Sequence, residues 1–310
     1  MKVISYMKSV PVANSNQQKT DLLIKYITGV NKIGDSGLVY YDDKIIDCDV
    51  AVIQGWVHQN IDTPHLKMRK KIIDHQFSRK AYTLIADSNL FLYADPSNKH
   101  GYLRYSFNGV FPNTGIYFDN SPVKTRWEMI KKDTGIQLEN YKNSGNHILL
   151  CMQRNGGWSM GNLDIEDWAL KTIKKIRKNS DRPILIRAHP NDKKANFYLK
   201  KLQNSVSVYK NVSISDLGKK LEQDLFKAHA VVNHNSSSIV GPVIKGYHAF
   251  ITDPEKSNCK DVAHCDFSYI ENPQYFDREK WLQRVSMFHW KFSELEDGSA
   301  WKHMRDYVFQ

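Results

Sequence analysis

Three serines in a row, Ser236, Ser237 and Ser238, stand between the apolar run Ala230-Val231-Val232 and a second run from Ile239 to Ile244. Hydroxyls placed there add hydrogen-bond donors without bulk where a helix begins, and the free N–H groups of a helix start favour a phosphate or pyrophosphate. An ordinary N-cap in a small-residue turn is the plainer alternative. Two other places join cations to permissive backbone. The stretch Gln153-Arg154-Asn155-Gly156-Gly157-Trp158 puts an arginine beside two glycines, over which a phosphorylated ligand could lie closely. The run Pro183-Ile184-Leu185-Ile186-Arg187-Ala188-His189-Pro190 delivers Arg187 and His189 next to a proline that fixes the turn. Beyond the serines, Asp253 and Glu255 could accept hydrogen bonds from ribose hydroxyls; solvated turn residues beside Pro254 are the alternative, favoured for Asp253.

These groups gather only if the elements around them form one sheet. Residues 231–255 read as strand, helix, strand, with Ala249-Phe250-Ile251-Thr252 as the second strand, so the two strands should be parallel. His147 to Met152 reads as a strand, 165–178 as a helix, Pro183 to His189 as a strand, 206–209 as a short strand and 215–227 as a helix. All three cationic or hydroxyl-bearing stretches then lie at carboxyl ends of parallel strands, where open α/β sheets bind ligands. Earlier in the chain the same alternation recurs. Residues 2–7, 48–56 and 83–87 read as strands, and 19–30 as a helix. A second helix carries Met68, Ile72 and Ile73 at core spacing, with Lys67, Arg69, Lys70 and Lys71 around it.

From 88 to 120 the periodicity dissolves into aromatics, glycines and prolines, and long irregular stretches in a compact domain are usually functional. Lys99 and Arg104 interleaved with Tyr105 and Phe107 suit an acceptor that has both phosphates and flat rings. A loop-rich subdomain whose rings are its core is the equal alternative. The Lys-Asn-Ser-Gly-Asn run at 142–146 marks a boundary. It gives an acceptor-binding domain over 1–145, a nucleotide-binding domain over 146–285, and an aromatic-rich helical segment over 286–310 that crosses back to the first domain.

A chain of 310 residues can bury two cores, and 25% charged with 12% aromatic residues excludes a disordered protein. The formal net charge of +11 favours a polyanionic partner. Cys48, Cys151, Cys259 and Cys265 form no CxxC pair, so neither a disulfide framework nor a zinc site is expected. The start Met-Lys-Val-Ile-Ser-Tyr-Met-Lys lacks signal-peptide character, and no apolar run approaches the ~20 residues of a membrane span. The expectation is a cytoplasmic protein without a membrane partner. Asp47-Cys48-Asp49 spells a metal-binding Asp-x-Asp, but it precedes its strand, at the end opposite the ligand crevice; no metal is expected.

Arg-x-His-Pro at 187–190, followed some forty residues later by a serine pair at a helix start, resembles the bacterial sialyltransferase and capsular Kdo-transferase families. Those are GT-B glycosyltransferases, with two Rossmann-like domains facing a central cleft. The resemblance covers roughly 147–270. It implies that His189, Pro190 and Ser236, Ser237 and Ser238 hold the nucleotide of a sugar donor, a UDP-sugar or alternatively a CMP-sugar, as co-substrate with no tightly bound cofactor. The Ser-Ser-Ser-Ile-Val-Gly-Pro-Val-Ile-Lys-Gly run and Phe288-His289-Trp290 are also similar to glycosyltransferase-like proteins of tailed phages. With the basic charge, that likeness implies double-stranded DNA carrying 5-hydroxymethylpyrimidines as acceptor, and the host cytoplasm as location. A capsular or cell-surface polysaccharide acceptor, and a non-catalytic DNA-binding protein on a transferase-like fold, are the alternatives. An inverting transfer needs a base from the first domain. The sialyltransferase acidic motif is missing, which leaves Asp87, at a strand end, as first choice and His58 as second. Arg154, Arg187 and His189 would then stabilise the leaving phosphate in place of a metal.

Overall fold

Apolar, β-branched runs alternating with amphipathic segments build two α/β units in the computed structural model. It describes every residue except 12–16, 58–60, 94–95 and 310. In chain order the elements are β1 (Lys2–Tyr6), α1 (Gln17–Lys32), β2 (Ser36–Tyr40), β3 (Val50–Gln54), α2 (Pro64–Ser78), β4 (Tyr82–Asp87), β5 (Leu103–Phe107) and α3 (Lys124–Thr134). They continue with β6 (His147–Cys151), α4 (Ile165–Arg177), β7 (Ile184–Arg187), α5 (Ala195–Val206), β8 (Val212–Ile214), α6 (Leu221–Leu225), β9 (Ala228–Asn233), α7 (Val240–Ile244) and β10 (His248–Ile251). The last are α8 (Arg278–Ser286), β11 (His289–Trp290), α9 (Phe292–Asp297) and α10 (Ser299–Val308). Among the described residues no helix is long and apolar enough to cross a membrane.

The first unit is Met1–Ile136 with Leu282–Gln310. Its sheet runs β11-β5-β4-β3-β1-β2, with β2, β1, β3 and β4 mutually parallel and β5 antiparallel to both β4 and β11. The parallel part has the doubly wound order 2-1-3-4, whose reversal lies between β1 and β3. Val50 to Ile53 and Thr83 to Ala86 are buried along their whole length, as strands covered on both faces must be. The irregular region expected at 88–120 holds β5. Tyr105 and Phe107 are 0% exposed, Tyr105 stacking on Tyr26 at 6.2 Å and Phe107 meeting Phe118 edge-on at 5.7 Å. The carboxyl-terminal segment belongs to this unit. Trp301 Nε1 and Arg305 Nη1 donate to Asp35 Oδ2 at 2.7 and 3.1 Å, and α9 comes so close to α1 that a Cβ on Gly29 would sit 1.9 Å from the Leu295 carbonyl oxygen.

The second unit is Gln137–Trp281, with an all-parallel sheet in the order β10-β9-β6-β7-β8. Counted along its own chain this is 5-4-1-2-3, the dinucleotide-binding winding, with its reversal between β6 and β9. Ile148, Leu150, Ile184, Ile186, Val232 and Phe250 pack under Ile165, Trp168 and Ile173 of α4 and Tyr198 and Leu202 of α5. The mixed α/β class with two Rossmann-like units is therefore what the chain forms. Its division falls between Ile136 and Gln137, ahead of the run at 142–146. The connecting residues are bound into the second unit: Glu139 and Lys142 donate N–H to the carbonyls of Ile244 and Gly246 at 3.0 and 2.8 Å, and Tyr141 stacks on His248 at 4.8 Å.

Two assignments differ from expectation. The strand expected at 206–209 is instead the end of α5 and a turn; Asn211, in the left-handed region at φ 56°, redirects the chain into β8. The helix expected over 215–227 shrinks to the five residues of α6, because the Ser215 hydroxyl donates to Asp224 within the fold instead of capping a helix.

Candidate functional site

The reversal of strand order in the second unit sets the loops after β6 and β9 side by side. Gln153 ties them together: its Oε1 accepts the Asn235 N–H at 2.9 Å and its Nε2 donates to Ser159 Oγ at 2.7 Å. Asn235 Nδ2 donates to the Ser159 carbonyl at 3.1 Å and to Asp253 Oδ2 at 2.9 Å, which adds the loop after β10. His234 Nδ1 meets Thr252 Oγ1 at 2.7 Å, and Trp168 Nε1 of α4 donates to the same oxygen at 2.8 Å. Asp253 is thus part of a half-buried network and not the solvated turn residue it resembled; its side chain is 18% exposed. Sequence reading passed over Gln153 and Asn235. Their signal was a polar amide placed within two residues of the end of each strand flanking the reversal.

One turn further out, Asp192 joins the loops after β6 and β7. It accepts the Asn155 N–H at 2.8 Å and the Lys194 N–H at 3.0 Å, while its own N–H donates to the His189 carbonyl at 3.0 Å. Arg154, Asn155, Pro190, Asn191, Asp192, Lys193 and Lys194 line a hollow of about 640 Å³. Gly156 takes φ 70° and has open space where a side chain would stand, and the neighbouring Gly157 closes the turn by donating to the Arg154 carbonyl at 3.0 Å. Arg154 is exposed, and the His189 pKa is lowered below the ordinary imidazole value by burial first and by the Arg154 charge second, against the opposing pull of Asp192. His189 Nδ1 accepts the Asn191 N–H at 3.1 Å, so the proton of a neutral ring sits on Nε2. Arg154, Gly156, Gly157 and His189 therefore belong to one neighbourhood.

Arg187 has a different setting from the one its strand-end position suggested. Its Nη1 pairs with Asp224 of α6, a carboxylate 2% exposed that also accepts from Ser215 Oγ, and its Nη2 donates to the Lys219 carbonyl at 2.8 Å. The guanidinium is committed to holding α6 on the sheet edge. Ser236 acts as a cap: its Oγ accepts the Ser238 N–H at 3.2 Å, and Ser238 Oγ donates to it at 3.0 Å. A 3-10 turn, Ser237–Ile239, precedes α7, so the plainer reading of this triplet describes its hydrogen bonds. Glu255 is exposed in the turn beyond β10.

In the first unit Asp87 ends β4 and forms an ion pair with Arg104, its partner across the β4–β5 ladder. Arg104, Tyr105 and Phe107 are buried, so the acceptor role expected of them is corrected. A ring can stack on a base only if it keeps an open face, and β5, flanked by β4 and β11, leaves none. Lys99 is exposed. His58 lies outside the described residues. Arg69, expected on the charged face of α2, is 6% exposed, and its pKa is pushed down to about 10 by burial. Its Nε and Nη1 donate to the carbonyls of Ser9 and Trp56 at 2.8 and 2.9 Å, which fixes the turns after β1 and β3. Asp47 meets His75 Nε2 at 2.9 Å and Asp49 accepts the Lys2 N–H at 2.7 Å, so this Asp-x-Asp serves the amino end of β3.

No protein-family model and no curated protein sequence matches the chain. Among solved structures, a β-Kdo 2,4-transferase KpsC of Thermosulfurimonas dismutans is similar at 10% identity over 92% of this chain and 91% of that one, with a TM-score of 0.49. A β-Kdo 2,7-transferase KpsC of the same organism is similar at 9% identity over 97% and 99%, with a TM-score of 0.49. The UDP-GlcNAc 2-epimerase of Neisseria meningitidis, solved with UDP-GlcNAc bound, is similar at 11% identity over 100% of both chains, with a TM-score of 0.32.

Proposed function

We propose that the chain is a glycosyltransferase that binds a nucleotide sugar at the carboxyl edge of the second unit and passes the sugar to a hydroxyl of a polyanionic acceptor, first of all DNA carrying hydroxymethylated pyrimidines. The hollow bounded by Arg154, Asn155 and Pro190 through Lys194 carries this reading. It opens at the carboxyl ends of β6 and β7, the first of which borders the winding reversal, and none of its three cations, Arg154, Lys193 and Lys194, enters an ion pair with a carboxylate among the described residues. Charge that collects on a departing nucleotide phosphate would meet three cations against the single carboxylate of Asp192, and backbone free to come close. Gly156, Gly157 and His189 complete the donor contacts, with Ser237 and Glu255 as outer ones. Arg187 supports the site through α6, as Ser236 and Ser238 do through the start of α7.

In a single displacement the acceptor hydroxyl gives its proton to Asp87, its oxygen bonds to the anomeric carbon, and the bond from that carbon to the phosphate oxygen breaks with both electrons going to the phosphate. The test is incubation with a panel of nucleotide sugars and hydroxymethylated DNA, followed by mass analysis of the nucleosides, with an acidic polysaccharide in parallel. A mass gain on the hydroxymethylated base supports the full reading, and gain on the polysaccharide alone moves the acceptor. Donors that neither bind nor turn over would overturn it.

A further inference from the structure

We infer that the outer face of α5 docks nucleic acid through an accessible base, which would give the proposed transferase an acceptor that carries bases as well as charge; the inference rests on that functional reading. Helix α5 buries Ala195, Tyr198, Leu199, Leu202 and Val206, a stripe at helical spacing that accounts for its packing on the sheet. The opposite face should be wholly polar. Phe197 stands on it instead, 82% exposed. Lys200 and Lys201, three and four positions on, share a helix surface with it, and Lys193 and Lys194 stand exposed just ahead of the first turn, Lys194 as its N-cap. Among the described residues, Lys201 alone of these four has a carboxylate partner, Glu166 at 3.0 Å, and its side chain remains 71% exposed.

A helix face made only for solvation alternates the signs of its charges. This one sets a hydrated benzyl ring beside two lysines of the same face and two more at the start of the helix, an arrangement suited to something flat and anionic that covers it. Stacking on the open ring face while ammonium groups meet phosphates on both sides describes a single-stranded segment or a flipped-out nucleotide. An anionic membrane would need a wider apolar patch, and Phe197 is the only exposed large apolar residue of α5. An acidic polysaccharide would engage the lysines with little use for the ring. Lys193 and Lys194 also line the proposed donor hollow, so a strand held on α5 runs toward the sugar.

The probe is a fluorescently labelled oligothymidylate, titrated by anisotropy at several salt concentrations, with the full chain as it stands. Phe197→Ala should weaken binding about ten-fold, and Phe197→Trp should bind at least as tightly as the native chain. Lys200→Gln should reduce the salt slope by about 0.7. Nucleotide-sugar binding, followed by calorimetry, should be the same in all three variants. Native affinity in Phe197→Ala would overturn the inference, as would tighter binding of the native chain to alginate or to phosphatidylglycerol vesicles than to the oligonucleotide. Oligonucleotide binding that follows Phe197, in a chain that binds no nucleotide sugar, would keep the docking surface and remove the transferase reading.

Discussion

Arg187→Ala tests whether the strand-end arginine serves the fold or the ligand. Its guanidinium is 11% exposed and its partner Asp224 2%, so removing the cation leaves a buried carboxylate whose remaining hydrogen-bond partner among the described residues is the Ser215 hydroxyl, at 2.7 and 2.8 Å from its two oxygens. Breaking a buried pair from one side costs about 3–5 kcal/mol, and the remaining serine places this case near 3. For a unit of this size, 1 kcal/mol moves the melting temperature by about 2–4 °C, so scanning calorimetry should show the second unit melting about 6–12 °C lower. Replacing both partners, Arg187→Met with Asp224→Leu, should restore most of that loss, because no charge is then left unpaired. Nucleotide-sugar binding in the double variant should stay within a few-fold of native, since the cations of the hollow are untouched. A single variant that melts within about 2 °C of the native chain and yet loses the nucleotide sugar would refute this reasoning and return Arg187 to the ligand.

Three further outcomes follow from the packing. Burial lowers the His289 pKa to about 3 in the first unit, and burial followed by the nearby His229, His264 and Arg278 charges lowers His248 to about 4 in the second. Each ring takes up a proton more readily unfolded than folded. Their contribution is therefore complete above about pH 6.5 and shrinks on acidification, by about 2 kcal/mol per ring at pH 5; equal melting temperatures at pH 7.5 and pH 5 would contradict it. Asp87→Asn should stop transfer, spare nucleotide-sugar binding and lower the melting temperature of the first unit, because Arg104 is buried and loses its counter-charge. Unchanged turnover would eliminate Asp87 as the base. Gly29→Ala should unfold or severely loosen the first unit, as its Cβ would meet backbone of the α9 segment at 1.9 Å; native-like melting would show that α1 and α9 can part without penalty.

How far these features could be read beforehand depended on whether they were local. Strands β1, β3, β4, β6, β9 and β10 are short apolar runs between amphipathic helices, and burial on both faces writes itself into consecutive residues; β7 alternates, but its Ile184, Leu185 and Ile186 still mark it. Strand β2 is an edge strand, half-exposed along its length, so no such run marks it. Strand β11 is two residues long and pairs with β5 from far along the chain. Positions of site residues follow the same rule. Arg154, Gly156, Gly157 and His189 follow strand ends directly, and parallel winding is enough to bring strand ends together. What each side chain faces is a different matter. Arg187 and Arg154 look alike in sequence, yet one meets a buried carboxylate thirty-seven residues later and the other meets none among the described residues. Tyr105 and Phe197 look alike as well, each an aromatic residue near a cation. One is sealed between neighbouring strands and the other stands on an open helix face. Composition raised the possibility of rings and cations acting together on nucleic acid; burial separates the rings that hold a core from the exposed ring of Phe197, and it moves the proposed role from β5 to α5.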